Sequence, residues 1–98
     1  MWLRGVCITR METGIEYLTH FQNQQVVLNF YENDELVQRD GIRFESVEIA
    51  DQQLLFKRGE IVLYSLPLNK WKTFRQRTEF KNYFILENKD AWIDIYFP

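Results

Sequence analysis

One cysteine, Cys7, and one histidine, His20, are all that this chain offers for nucleophilic or soft-metal chemistry. A nucleophile needs a base beside it, most often a histidine. Cys7 and His20 could meet on neighbouring strands, but nothing beyond residue type pairs them. Cys7 lies between Val6 and Ile8, the setting of a small buried hydrophobe. His20 has the parity opposite to Ile15 and Tyr17, which reads as a surface position. Zinc wants three or four Cys or His ligands, and two are present. The four glycines stand apart from one another, so no glycine-rich loop can cradle a phosphate. Asp94 is the most unusual of the 14 acids, because Trp92, Asp94 and Tyr96 alternate on one face. A carboxylate between rings can acquire the shifted pKa of an acid–base group. The simpler reading pairs it with Lys81 or another cross-strand base. No catalytic residue, cofactor or metal is assigned, and the expected function is not enzymatic.

Two surface features remain. Lys70, Trp71, Lys72, Arg75, Arg77 and Lys81 interleave cations with rings, and Phe74 and Tyr83 extend the series. Residues 70–81 hold five cations and one acid, Glu79, a net charge of +4 in a chain whose total is −2. Cations that track phosphates and rings that stack bases are the equipment of single-strand nucleic-acid binders. An anionic protein surface would suit the same segment, and so would plain solvation. The second feature is the hairpin of 80–97. With Phe80, Phe84, Leu86, Ile93, Ile95 and Phe97 facing a core, the opposite face carries Lys81, Tyr83, Ile85, Trp92, Asp94 and Tyr96. A half-solvated antiparallel sheet should be polar outside. This one is aromatic, so it needs a cover: its own chain, a second copy or another protein.

The elements that would position these groups follow from a period of two, with β-branched and aromatic residues between turn residues. The expected strands begin with Trp2 to Met11, closed by the turn Glu12-Thr13-Gly14, and continue with Ile15 to Phe21. Val26 to Tyr31 follows, with Val26, Leu28 and Phe30 on one face, up to the turn at Glu32-Asn33-Asp34-Glu35. A short element at 36–39 and an Asp40-Gly41 turn lead to a long strand, Ile42 to Ala50. The parity of that strand slips between Phe44 and Val47, which predicts a bulge near Glu45-Ser46. A hairpin joins Leu54–Lys57 to Ile61–Tyr64 through Arg58-Gly59-Glu60, and Pro67 ends it. Residues 69–78 fit a helical stripe and a strand equally well. The last hairpin, Phe80–Glu87 with Ala91–Phe97, turns at Asn88-Lys89-Asp90.

The expected fold is one all-β domain over 1–98. It is an antiparallel meander of about eight to ten short strands forming a closed or partly open barrel, with at most one short helix near 68–77. A β-sandwich is the alternative. The cadence from Val47-Glu48-Ile49 through Leu54-Leu55-Phe56 to Ser65-Leu66-Pro67-Leu68 resembles the middle strands of pleckstrin-homology-like domains, and that resemblance implies a partly open barrel. A lone cysteine and no signal-like or membrane-length apolar run point to the cytoplasm. The expected function is a non-catalytic module that binds a protein, or itself, through Tyr83, Ile85, Trp92, Asp94 and Tyr96. Lys70, Trp71, Lys72, Arg75, Arg77 and Lys81 would take an anionic partner. The alternatives are single-stranded nucleic acid bound at 70–83 and a small ligand inside the barrel.

Overall fold

Runs rich in β-branched and aromatic residues build eight strands in the computed structural model, which describes residues 14–98. They are β1 Gln24–Glu32, β2 Glu35–Phe44, β3 Ser46–Ala50, β4 Gln53–Arg58, β5 Ile61–Pro67, β6 Thr73–Gln76, β7 Tyr83–Glu87 and β8 Ala91–Tyr96. The expected strand Trp2 to Met11, Cys7 with it, lies outside the described residues. Two antiparallel sheets result, one of five strands in the order β2-β1-β8-β7-β6 and one of three in the order β3-β4-β5. The all-β expectation holds. The closed barrel does not form among the described residues. Pro67 has no N–H to extend the ladder, and Leu68 turns inward at 8% exposure, so the chain leaves the smaller sheet before β6 begins. Nor is the topology a simple meander, because β8 inserts beside β1.

Glu45 is the corner between the sheets. Its N–H donates to the Lys57 carbonyl (2.8 Å) and its carbonyl accepts from the Asn23 N–H (3.0 Å), which ties it to both. Phe44 and Val47 on either side are both buried, so the parity slips where expected, but it marks a break and not a bulge: the expected single strand Ile42 to Ala50 divides into β2 and β3 in different sheets. No turn forms at Asp40-Gly41: β1 is nine residues long and pairs with β2 through Leu28–Asp40 and Val27–Gly41. The reversal lies earlier, at Asn33 and Asp34, both with positive φ (51° and 67°), in residue types that tolerate the left-handed region. Gly59, at φ 60°, serves the β4–β5 hairpin in the same way.

Two further expectations are corrected, and one open alternative is decided. Ile15 to Phe21 is no strand: Glu16–His20 is a 3₁₀ helix. Ile15, Leu18 and Phe21 recur every third residue, which is the 3₁₀ period, and the first two are buried at 2% and 0%. The ambiguous segment 69–78 contains β6, not a helix, because the edge of β7 offers it a ladder from Thr73–Glu87 to Gln76–Phe84. Phe80 is no core residue and stays 50% exposed. Asn82, at φ 57°, breaks the strand ahead of Tyr83, where β7 starts.

One apolar cluster fills the space between the sheets. Leu28, Phe84, Leu86, Ile93 and Ile95 contribute from the larger sheet, and Leu54, Phe56 and Leu66 from the smaller. Trp71 packs against it from the connection after β5. Among the described residues no helix is long and apolar enough to cross a membrane.

Candidate functional site

Cross-strand pairing lays the outer face of the five-stranded sheet out in three rows. Gly41, Val27, Tyr96 and Tyr83 form the first. The middle row runs Arg39, Asn29, Asp94, Ile85 and Arg75, and the third Leu36, Tyr31, Trp92, Glu87 and Thr73. All five predicted hairpin residues, Tyr83, Ile85, Trp92, Asp94 and Tyr96, fall on this one face. Its centre is largely covered by its own neighbours: Ile85 is 4% exposed and Asp94 6%, although both point away from the core. Trp92 is half-buried because Tyr31 of β1 stacks on it, with ring centroids 4.7 Å apart and planes 10° from parallel. Tyr96 is the most open of the five, at 37%.

Asp94 does not pair with Lys81. Its Oδ2 accepts a 2.6 Å hydrogen bond from the Tyr83 hydroxyl, a stronger arrangement than a surface ion pair because one partner is charged and both are shielded. Burial, and then the bond to Asp94 and its charge, push the Tyr83 phenol up to about 12. Asn29, beside Asp94 on β1, keeps a buried side-chain oxygen without a hydrogen-bond partner among the described residues.

The basic segment divides. Arg75 and Arg77 flank the aromatic face: Arg75 Nε bonds Glu87 Oε1 (3.1 Å), and Arg77 Nε bonds Glu79 Oε1 (3.1 Å) while its guanidinium lies 5.4 Å from the centroid of the Tyr83 ring. Together with Tyr31, Ile85, Glu87, Trp92 and Asp94 they line a cleft of about 380 Å³. Lys70 and Lys72 sit elsewhere, beside the turns at Asn33 and Lys89. Lys81 is an exposed residue ahead of β7. Phe74 is buried at 4%, and Trp71 packs on the core with its indole N–H unpartnered among the described residues. The segment 70–83 is therefore not one surface. His20 is exposed at the end of the 3₁₀ helix, its ring 5.8 Å from that of Tyr17. A separate crevice of about 410 Å³ between the sheets is lined by Phe30, Tyr64, Leu66, Trp71 and Ile93.

Sequence reasoning missed Asn29, Tyr31, Arg39 and Leu36, which complete the face from β1 and β2. The only signal was the second parity of β1, Val27-Asn29-Tyr31, since its pairing with β8 spans most of the chain. It also missed exposed aliphatics at Leu36, Val37 and Ile61 to Leu63.

Compared with protein-family models, curated proteins and solved structures, the chain has no match. The functional reading therefore rests on its own geometry.

Proposed function

We propose that this chain is a non-catalytic binding module that docks a protein on the outer face of its five-stranded sheet. One observation carries the reading: a face that should be polar presents Tyr31, Trp92, Tyr96 and Tyr83 in adjoining rows, with two arginines at its side. Tyr, Trp and Arg are the residue types in which interface energy concentrates. Trp92 and Tyr96 are the anchors, Tyr83 supports them through Asp94, and Arg75 and Arg77 steer an approaching surface. A protein partner is favoured over single-stranded nucleic acid by the placement of Trp71 and Phe74. Rings packed in or against a core cannot stack bases, and the lysines at 70 and 72 point to a different region.

Trp92→Ala tests the proposal. The variant keeps the fold, since Trp92 lies outside the core cluster, and it loses affinity for its protein partner by about 30-fold, the effect of an interface anchor worth about 2 kcal/mol. Light scattering and pull-down against the wild-type protein read the result. An unchanged assembly state and an unchanged set of partners, in a variant that still folds, count against the docking face.

A further inference from the structure

We infer that the partner of this face is a second copy of the chain, placed by a two-fold axis that runs along β1 above Asn29. The inference rests on the docking reading above and names its occupant. A two-fold interface sets each residue i against j and each j against i, so the face must complement itself. Rotation about β1 lays β2 of one copy over β8 of the other, and the three rows then fall into matched pairs. In the middle row Arg39 comes over Asp94 of the copy. In the first row Gly41, with no side chain, comes over the Tyr96 ring. In the third, Leu36, 49% exposed, comes over Trp92.

The charges support this register. Asp94 is a buried carboxylate whose hydrogen bond comes from a neutral phenol. Among the described residues it makes no ion pair, while Arg75 and Arg77 on the same face are already engaged with Glu87 and Glu79. Arg39 is exposed, and it too makes no ion pair among the described residues. Within one copy Arg39 and Asp94 lie two strands apart, roughly 10 Å at the usual strand spacing, on opposite sides of Asn29. A guanidinium from outside supplies what the buried carboxylate lacks. Asn29 stands on the axis and meets its own copy.

Other registers fit worse. An axis along β8 sets Asp94 against Asp94. An axis between β1 and β8 sets Arg39 on Ile85 and Leu36 on Glu87. With the axis on β1 only three strands of each copy overlap, so a weak dimer is expected, with a dissociation constant on the order of 100 µM.

Sedimentation velocity across protein concentration tests the pairing. The wild-type chain dimerises, Arg39→Glu raises the dissociation constant at least tenfold, and Arg39→Lys largely keeps it. Gly41→Phe, which fills the space taken by Tyr96 without touching a charge, also raises it at least tenfold. A Cβ at Gly41 meets only the end of the Gln25 side chain, at 3.2 Å, so the variant can fold. Wild-type protein that stays monomeric at about 1 mM, well above the concentration of half-association, overturns the inference, as does a dimer indifferent to both substitutions. A monomer that still loses a foreign partner through Trp92→Ala overturns self-pairing alone and leaves the docking face standing.

Discussion

Phe84→Ala lowers the unfolding free energy by about 4 kcal/mol, in the range measured for emptying a buried aromatic site. Phe84 is 1% exposed and stands where four segments meet. It stacks on Phe74 of β6 (5.7 Å, planes 10° apart) and meets Phe21, Phe97 and Tyr17 with centroids 6.0, 6.2 and 5.8 Å away. Phe74 loses its stacked face and the other three rings an edge or tilted contact, and rings cannot close the gap as flexible side chains would. Phe84 thus touches rings from the 3₁₀ segment and from β6 at once, so the loss falls on both contacts. Phe80→Ala is the control. That ring is 50% exposed, against Arg77 and Tyr83, and its removal stays within about 0.5 kcal/mol. Urea denaturation compares the two. Equal losses would mean that Phe84 is not the hub described.

Tyr83→Phe costs about 2 kcal/mol, because it leaves one oxygen of a buried carboxylate without its donor. Asp94→Asn in the same background recovers part of that loss, since an amide tolerates the apolar neighbour better than a charge does. Both variants leave the core side of β7 and β8 untouched, so the effect belongs to the hydrogen bond. A pH dependence accompanies it. The phenol keeps its proton up to about 12 in the folded chain, against an ordinary value of 10.0. The folded state therefore binds the proton more tightly, and the stabilisation is complete below pH 10 and disappears as the pH rises toward 12. Tyr83→Phe removes that step from the stability profile. A profile that falls equally in both proteins between those limits contradicts the assignment.

Local pattern made much of this fold legible. The alternation in Val26-Leu28-Phe30, the turn residues Asn33 and Asp34, Gly59 and the parity slip at Glu45 each act within a few residues, and each appears where expected. The errors arose where a distant partner decides. Asp40-Gly41 reads as a turn until β1 is seen to extend past it. Residues 73–76 read as helix or strand until the edge of β7 chooses. Residues 15–21 carry both spacings, Ile15-Tyr17-Thr19-Phe21 that of a strand and Ile15-Leu18-Phe21 that of a 3₁₀ helix, and burial of Ile15 and Leu18 with Phe21 on Phe84 and Phe97 settles it. The candidate site shows the same division. Tyr83, Ile85, Trp92, Asp94 and Tyr96 share a face by simple alternation. Tyr31, Asn29 and Arg39 join them through the β1–β8 pairing, which no short-range pattern encodes. The lysines of the basic segment scatter because two of its rings, Trp71 and Phe74, are drawn inward and turn the chain between them.

Photo-cross-linking from two exposed positions bears most directly on the claim that the outer face is the contact surface. A photoreactive phenylalanine replaces Tyr96 on that face, or Val62 (47% exposed) on the smaller sheet. The account predicts a discrete protein adduct from position 96, a second copy or another chain, that disappears when Trp92 is also changed to alanine, and none from position 62. Adducts of equal yield from both positions, or an adduct at 96 that ignores the loss of Trp92, would contradict it.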